Sequence, residues 1–530
     1  MNHILLSITA FLVTIISENL FFMINKSQSL VPINNYIGLY IAFFLFTFVK
    51  GAKLRFFFLA LIPTLSIFQM LHISFYGVPV YPSAIYLMFT EVGEVFGTLK
   101  EEFSLFFLPL ILSTPLIGFL FFMNKKFKPN KSIPFLPALL FFYLVYNPIR
   151  TGLTGNTWGR QPSTQEFMGM NIYLSLSYFS GKILPYKILR KKDDTTYKSK
   201  FTFTDIPKFE GNIIFVIGES LSANHLSLLG YKRPTTPYLS SLKEDPNFYF
   251  SKGISSGVST DVALAFIANN TFGLDGQNAV IQGKQCLFKL AKKNNFRTTF
   301  YSSQSQQQLR YITNSLCLSS VDNYKNLEVL QPGISDSNAA DDLKLLDSIK
   351  EDLYKNLDQN NFYVLHQRGS HGPYNLRYPK DKATFKMVGK YQKDRVNHYD
   401  NSVIEFDKFM KELIETVKSH DKPTIIIYMS DHGEGLGEEG VWGHAALKKP
   451  SFSIPVLSYF HNSPAKQDFS REPTHLELTL YISQLLGHKS DLSFPLNNYS
   501  ILGNDMDGFA GYLDLVFENG VLKDYTRKDI

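Results

Sequence analysis

Asp431 and His432 lie side by side directly after an apolar run, residues 424–429, which has the length and composition of a buried strand. A turn at the end of a strand breaks the alternation of side chains, so both residues can face one ion. An aspartate, a histidine, a further carboxylate and a hydroxyl oxygen together form a ligand set that suits zinc. The alternative interpretation is a pair of hydrogen-bonded surface residues. The pair predicts a metal site at the end of this strand.

A candidate for the further carboxylate is Glu219. It follows another apolar run, residues 213–217, which Gly218 ends. Ligands of α/β proteins bind at the carboxyl ends of parallel strands, where this pattern puts Glu219. Taken alone, Glu219 could equally be a solvated loop residue.

The candidate hydroxyl is that of Thr260, in a Ser- and Thr-rich segment just before the helical run 262–267. The N-terminus of a helix favours an anion because its backbone N–H groups point outward. A metal with nitrogen and oxygen ligands lowers the pKa of a bound hydroxyl and would make Thr260 a nucleophile. The alternative is an ordinary helix N-cap by Ser259, Thr260 or Asp261.

Two histidines complete the chemical pattern. His371 lies in a glycine-containing turn after the apolar run 362–365, and His444 follows the Asp431-His432 pair. These side chains could hold a phosphate or protonate a leaving group. One of the two histidines in the turn, His366 or His371, could equally be structural.

The elements that would position these residues alternate between strands and helices, which predicts a mostly parallel sheet covered by helices on both faces. The predicted strands are residues 213–217, 298–301, 362–365, 424–429 and 454–459, and the predicted helices include residues 337–357, 396–418 and 475–486. Asn519-Gly520, between short apolar runs, predicts a hairpin turn.

The N-terminal third has a different composition, dense in Phe, Leu and Ile with almost no charge. Five apolar stretches predict five membrane spans: residues 4–24, 36–49, 56–75, 103–123 and 133–146. Lysine-rich loops follow the second and fourth stretches, which predicts that these loops are cytoplasmic and that the large C-terminal region faces outward. Glu18, inside the first stretch, is expected near the outer interface because an intramembrane carboxylate is costly.

The chain therefore divides into a transmembrane domain at residues 1–150, a juxtamembrane linker at 151–207 with one interfacial helix, and an extracytoplasmic catalytic domain at 208–530. The formal net charge of +7 is mild for 530 residues, and no basic run with interleaved aromatics predicts nucleic-acid binding. Cys286 and Cys317 are the two cysteines of the sequence. In an extracytoplasmic domain they would be able to form one disulfide.

Four segments in a fixed order resemble the membrane-bound phosphoethanolamine transferases of Gram-negative envelopes, a family of the alkaline phosphatase and sulfatase superfamily. They are GESLSANHLSLLGY with RPTTP, SSGVSTD, RGSHGPYNLRYP and SDHGEGLGEEGVWGH. The resemblance implies an alkaline-phosphatase/sulfatase-like catalytic domain on a five-span membrane anchor. It also implies an enzyme of the inner membrane whose catalytic domain lies in the periplasm.

By position, the resemblance implies one zinc ion held by Glu219, Thr260, Asp431 and His432, with Thr260 as the nucleophile that takes up phosphoethanolamine. His371 and His444 would line the substrate or a second metal position. Thr90 and Glu94, four residues apart in the external loop at residues 76–102, correspond to positions that contact the donor.

The implied donor is phosphatidylethanolamine, and the implied acceptor is lipopolysaccharide or another envelope glycan; we expect a monomer. Two departures from the family pattern bear on the acceptor and on the site. Ser256 stands where many members have cysteine, and Tyr86 stands where lipid A-modifying members tend to have asparagine. Tyr301–Gln304 partly matches a Ser-Asn-Gln stretch of the branch of the family that modifies lipopolysaccharide core sugars or other glycans. Together with the second departure, this match favours a glycan acceptor over the lipid A headgroup. A phosphoglycerol transferase of the same superfamily is the alternative.

Overall fold

The computed structural model describes residues 2–24, 33–76, 79–80, 82–90, 103–154, 167–189, 198–309, 315–334, 340–464, 469–496, 498–506 and 510–528. The chain forms two compact units, Met1–Arg190 and Lys191–Ile530. The first is helical, and the second is an α/β unit.

The helices of the first unit are α1 His3–Ile24, α2 Ile33–Phe46, α3 Ala52–Tyr76, α4 Pro82–Thr90, α5 Phe103–Lys126, α6 Leu136–Thr154, α7 Met168–Tyr178 and α8 Leu184–Leu189. Three of them, α1, α3 and α5, are long and apolar enough to cross a membrane. They confirm three of the five predicted spans. The second and fifth apolar stretches form the shorter α2 and the helix α6, which contains Pro148.

Helix α7 lies in the segment for which the sequence predicts one interfacial helix, and it packs within the helical unit. Met168, Ile172 and Tyr178 are buried. Gly169 permits close packing on α3, because a Cβ at this position would come within 2.2 Å of the Ile62 carbonyl oxygen. The position of Glu18 near the outer interface stays a prediction. The Glu18 carboxylate is buried and accepts hydrogen bonds from Ser66 Oγ at 2.6 Å and Met168 N at 3.1 Å.

The α/β unit contains strands β1 Phe203–Asp205, β2 Asn212–Gly218, β3 Phe248–Ile254, β4 Arg297–Ser302, β5 Asn323–Lys325, β6 Asn361–His366, β7 Thr424–Ser430, β8 Gly435–Leu436, β9 Trp442–Gly443, β10 Ser453–His461, β11 His488–Ser490, β12 Asn498–Leu502, β13 Tyr512–Glu518 and β14 Val521–Lys528. Seven of them form the central sheet in the order β3-β10-β7-β2-β6-β4-β5. β10 runs antiparallel to both of its neighbours, β3 and β7. The five strands from β7 to β5 are parallel to one another.

The central strands are apolar throughout because both faces of the sheet are covered. Every residue of β2, β6 and β7 is buried. One face packs in a cluster that includes Phe215 and Ile427, and the other in a cluster that includes Ile214 and Ile426. A parallel strand buried on both faces reads as a continuous apolar run, which is why the sequence reveals it.

The longer helices of this unit are α9 Thr260–Ala268, α10 Gly276–Gln282, α11 Leu287–Lys293, α12 Leu343–Lys355, α13 Tyr391–Lys418 and α14 His475–Leu485. Helix α13 buries Val403, Phe406, Met410, Leu413 and Val417, a spacing of three and four residues that places them on one face. Helix α13 leads back to the amino end of β7, so its own N-terminal end lies at the carboxyl edge of the sheet.

The predicted strands, the predicted helices and the mostly parallel sheet are all present. The hairpin turn at Asn519-Gly520 joins β13 to β14, and both turn residues have positive φ, 53° and 72°. Cys286 and Cys317 form a disulfide.

Candidate metal centre and active site

Glu219 and Asp431 come together because their strands are adjacent and in register. Gly218 of β2 pairs with Ser430 of β7, so the residue after each strand leaves the sheet at the same point. Asp431 N donates to the Gly218 carbonyl at 2.9 Å, and Ser220 N donates to Asp431 Oδ1 at 3.0 Å. These bonds fix the two loops to each other.

The hydroxyl of Thr260 lies at the same point. Thr260 Oγ1 is 3.1 and 3.2 Å from the two carboxylate oxygens of Glu219 and 3.3 Å from His432 Nε2. Thr260 is the first residue of α9, so the N-terminal N–H groups of the helix also face this space. The structure thus brings together all four residues that the motifs assign to the metal.

This cluster has the properties of a cation site. The ligand atoms of Glu219, Asp431 and His432 all lie within 4.8 Å of one another, and the three residues are buried. Asp431 Oδ2 is buried and has no hydrogen-bond partner among the residues that the structure describes. A buried carboxylate oxygen without a donor is costly unless a cation satisfies it. The donor set therefore fits a divalent metal ion.

The pKa shifts of the buried cluster also indicate that its two carboxylates favour a nearby positive charge. Burial raises the pKa of Asp431, and the nearby charge of Glu219 raises it further. Burial opposes charge on His432 as well, but the two carboxylates outweigh it and raise the pKa of the imidazole. Burial likewise opposes ionisation of Glu219, yet the hydrogen bond from His432 and the charge of His371 hold the pKa of Glu219 well below its usual value.

His432 is oriented by its own backbone turn. Its Nδ1 lies 3.0 Å from the Gly433 carbonyl oxygen, which can only accept, so Nδ1 carries a proton and donates it. This leaves Nε2 directed at Glu219, Asp431 and Thr260. A hydrogen bond from the remote ring nitrogen is the usual way in which proteins orient a metal-binding histidine.

The two further histidines lie beside this cluster. The ring centroid of His444 is 4.3 Å from that of His432 and 5.6 Å from that of His371. His444 Nδ1 is 2.9 Å from Glu434 Oε2, and Glu434 also accepts from the Tyr374 hydroxyl. The ligand atoms of His432, Glu434 and His444 lie close enough to form a second group that could hold a metal ion.

One of the two external-loop positions lies outside the residues that the structure describes. Thr90 is the last residue of α4, and Glu94 lies outside the residues that the structure describes. The roles assigned to these two residues remain predictions.

His475 connects the two loops that carry the site. Its Nδ1 accepts from Ser256 N at 3.0 Å, and its Nε2 donates to the Ser430 carbonyl at 2.8 Å. Ser256 belongs to the loop that leads to Thr260, and Ser430 immediately precedes Asp431. Burial lowers the pKa of His475 to about 3, so the imidazole is neutral and both of its nitrogens are used.

The chain belongs to the sulfatase family, whose model matches residues 211–488. Within that family it is similar to phosphoethanolamine transferases, which confirms the resemblance seen in the motifs. Kdo(2)-lipid A phosphoethanolamine 7''-transferase of Salmonella typhimurium is 27% identical over 328 residues, which are 59% of this chain and 54% of that protein. This chain thus matches about half the length of that relative.

A longer match is to phosphoethanolamine transferase EptA of Helicobacter pylori, 25% identical over 457 residues, 81% of this chain and 82% of that protein. Two solved structures share the fold. Lipooligosaccharide phosphoethanolamine transferase A of Neisseria meningitidis, an integral membrane protein, has a TM-score of 0.61 at 18% identity and covers 92% of this chain and 95% of its own. The periplasmic domain of EcEptC of Escherichia coli, crystallised with Zn, has a TM-score of 0.50 at 21% identity over 58% of this chain and 94% of its own.

Three residues near the site had no role in the sequence-based prediction: Glu434, Arg368 and His475. Glu434 stands inside the Asp431-His432 motif, so its acidity was a usable signal. Arg368 is buried, and its Nη2 lies 3.0 Å from His371 Nδ1. His475 lies in an apolar helical pattern, where a single histidine gives no signal of a link to a distant loop.

Proposed function

We propose that the protein is a phosphoethanolamine transferase of the bacterial inner membrane, with its catalytic domain in the periplasm on five membrane spans, acting as a monomer. It takes phosphoethanolamine from phosphatidylethanolamine and passes it, through Thr260, to lipopolysaccharide or another envelope glycan. One observation carries the proposal: the Thr260 hydroxyl is within 3.3 Å of both Glu219 and His432, at a helix N-terminus and inside a cation site. The similarity to transferases of this class supports the choice of reaction.

Glu219, Thr260, Asp431 and His432 would hold one zinc ion, as the nitrogen and oxygen donors of this set suit that metal. Zinc would supply Lewis acidity, which lowers the pKa of the threonine hydroxyl and offsets charge on the phosphoryl oxygens. The crystal structure of the EcEptC periplasmic domain with Zn supports this choice of ion.

The reaction would consist of two displacements. In the first, Thr260 Oγ forms a bond to the phosphorus of the donor and the bond from phosphorus to the diacylglycerol oxygen breaks. In the second, an acceptor oxygen forms a bond to the same phosphorus and the bond from phosphorus to Thr260 Oγ breaks.

The neighbouring side chains would accept and donate the protons of this reaction. The Glu219 carboxylate accepts the hydrogen bond of the threonine hydroxyl, which increases electron density on Oγ before attack. His444 and His371, beside the cluster, would donate a proton to the departing diacylglycerol oxygen and take one from the acceptor. The Glu434 carboxylate orients His444 for this task.

The acceptor we favour is a sugar hydroxyl or phosphate of a glycan. The partial match at Tyr301–Gln304 supports this, and relatives named for transfer to Kdo(2)-lipid A support an acceptor of the lipopolysaccharide class. Gln304 Oε1 accepts from Arg368 Nη1 at 3.1 Å, and Arg368 neighbours His371. This stretch thus supports the substrate side of the site through Arg368.

The test is a mass measurement on the protein itself. Purified full-length chain is incubated with phosphatidylethanolamine and zinc, and peptides are searched for a phosphoethanolamine group. We expect the group on Thr260, its loss in Thr260→Ala and its partial retention in Thr260→Ser, which keeps an oxygen nucleophile.

The same incubation with phosphatidylglycerol in place of phosphatidylethanolamine distinguishes a phosphoethanolamine transferase from a phosphoglycerol transferase. An adduct formed only from phosphatidylglycerol would make the protein a phosphoglycerol transferase. An unmodified Thr260 with zinc bound would overturn both assignments. The acceptor is then identified from the envelope glycolipid that loses phosphoethanolamine in cells carrying Thr260→Ala.

A further inference from the structure

An exposed lysine-rich segment, residues 380–394, leads into α13 and includes the first four residues of that helix. We refer to it as the lysine loop. It carries five lysines and two aspartates: Lys380, Lys382, Lys386, Lys390, Lys393, Asp381 and Asp394. The five lysines are all exposed, and none of them forms an ion pair with another residue in the part of the chain that the structure describes. The loop therefore presents positive charge that the protein itself does not neutralise.

The tip of the lysine loop is apolar. Met387, Val388 and Tyr391 are 38%, 57% and 39% exposed. Nine large hydrophobic residues are exposed among the described residues of the α/β unit, and three of the nine lie within the five positions 387–391. Clustered exposed apolar side chains rimmed by polar residues are typical of an interaction site.

This tip is held in place rather than left to move freely. Asn401 Oδ1 accepts from the backbone N–H groups of Thr384 and Phe385, each at 2.9 Å. Asn397 Nδ2 donates to the Lys386 carbonyl at 2.8 Å, and Val388 N donates to Asp394 Oδ1 at 2.7 Å. Because α13 fixes its backbone, the loop displays Met387 and Val388 instead of folding them inward.

The lysine loop lies at the same edge of the sheet as the metal centre. Helix α13 starts at this edge, and its first turns contact the site loops. The Arg395 guanidinium carbon is 5.6 Å from the Tyr374 ring centroid and 5.3 Å from that of Trp442. Tyr374 in turn donates to Glu434.

We infer that the lysine loop docks the catalytic unit on anionic lipid headgroups of the bilayer that holds the chain. The lysines match the charge of such headgroups, and Met387, Val388 and Tyr391 can enter the boundary between headgroups and acyl chains. The chain carries membrane-spanning helices, so a bilayer is always within reach. The need for the active edge to face lipid rests on the proposed function, because only a lipid-borne substrate requires it.

The test places a reporter at the tip of the loop. The two native cysteines pair with each other, so Val388→Cys introduces the one free thiol for an environment-sensitive fluorophore. Leu357→Cys is the matched control, since Leu357 is 46% exposed and lies just before β6, at the opposite edge of the sheet. Full-length protein is placed one copy per nanodisc, in phosphatidylcholine alone or with phosphatidylglycerol added.

With phosphatidylglycerol present, we expect the probe at position 388 to be shielded from aqueous acrylamide and quenched by brominated acyl chains. The probe at position 357 should show neither effect. Replacing Lys386, Lys390 and Lys393 by glutamine should weaken docking by about fivefold per lysine, and added salt should weaken it in the unsubstituted protein.

Three results would overturn the inference. The probes at 388 and 357 could respond alike, the probe at 388 could be shielded equally in phosphatidylcholine alone, or shielding could require more than one copy of the protein. None of these readouts involves turnover. An unmodified Thr260 with a shielded probe would reject the proposed function alone, and a modified Thr260 with an unshielded probe would reject the docking alone.

Discussion

At the scale of single residues, the loop that leads to Thr260 is held by one neutral imidazole, that of His475. Ser256 N is an obligate donor and the Ser430 carbonyl an obligate acceptor, so their bonds to His475 fix one tautomer. Ser256 occupies the position at which, by the resemblance, many relatives have a cysteine. We infer that His475 positions the loop of Thr260 relative to the strand end that bears Asp431.

His475 should therefore act on turnover rather than on substrate binding. We expect His475→Leu, which removes both hydrogen bonds, to lower kcat by about 100-fold with little change in KM, because a displacement of about 1 Å at a reacting group has that cost. His475→Asn places an oxygen near the Nδ1 position and keeps the bond from Ser256. His475→Gln places an amide nitrogen near Nε2 and keeps the bond to Ser430.

Steady-state kinetics of the three variants check this prediction. If the loop of Thr260 is the part that His475 positions, the asparagine variant should retain more activity than the glutamine variant. Equal kcat values for Leu, Asn and Gln variants that melt at the same temperature would contradict it. The pH profile should not move in any variant, because the pKa of His475 is about 3 in the native protein.

The grouping of the candidate metal ligands was predictable because three of them follow apolar strands and all four belong to recognisable motifs. Glu219, Asp431 and His432 combine a ligand type with a strand end, and the ordered motifs add Thr260. His475 was not predictable, because it bonds to Ser256 across 219 residues of sequence. Sequence spacing carries no information on such a contact.

At the scale of elements, the loop between Glu434 and His444 is fixed by a buried histidine. His225 Nδ1 is 2.7 Å from Asp400 Oδ1 of α13, and its Nε2 is 3.1 Å from Glu438 Oε1. Burial opposes the charge, but the hydrogen bonds that His225 donates to both carboxylates raise the pKa of His225. Burial also opposes ionisation of Glu438, yet the bond from His225 lowers the pKa of that carboxyl.

These pKa shifts define the pH range in which the hydrogen bonds of His225 with Asp400 and Glu438 stabilise the fold. The raised pKa of His225 contributes stability that is complete below its unfolded value of 6.5 and is lost as pH rises through the folded pKa. The lowered pKa of Glu438 contributes stability above its unfolded value of 4.5, which is lost as pH falls through the folded pKa. The contribution should be largest between pH 4.5 and 6.5.

A double-mutant cycle of His225→Gln and Glu438→Gln measures this contribution by thermal unfolding. We expect a coupling free energy at pH 6 that disappears in alkaline solution, where the imidazole is neutral. Coupling that is the same at both pH values would show that charge does not hold this loop.

The same scale shows where sequence patterns suffice for the fold. Continuous apolar runs predict β2, β6 and β7, because strands buried on both faces need them. The direction of β10 was not predictable, since an antiparallel strand in a covered sheet has the same apolar run. The burial of α7 depends on Gly169 meeting the α3 backbone, and a linker sequence does not reveal that contact.

At the scale of the whole molecule, the proposed metal ligands belong to one of the two compact units. Glu219, Thr260, Asp431 and His432 all lie in Lys191–Ile530, and the apolar membrane helices lie in Met1–Arg190. A bound ion stabilises only what unfolds with its ligands. Loss of the ion should therefore lower the stability of the α/β unit and leave the stability of the membrane helices unchanged.

Removal of zinc by a chelator should destabilise the α/β unit by about 2.7 kcal/mol relative to a free zinc concentration 100 times the dissociation constant. Hydrogen exchange of the full-length protein resolves the two units: amides of β2 and β7 should exchange faster after chelation, while those of α1 and α3 should not change. Asp431→Asn removes one ligand charge with little change in volume, so chelation should have a much smaller effect in that variant. Equal acceleration in both units, or an unchanged response in Asp431→Asn, would contradict a metal centre built from these residues, because in either case the ion would be acting somewhere other than the ends of β2 and β7.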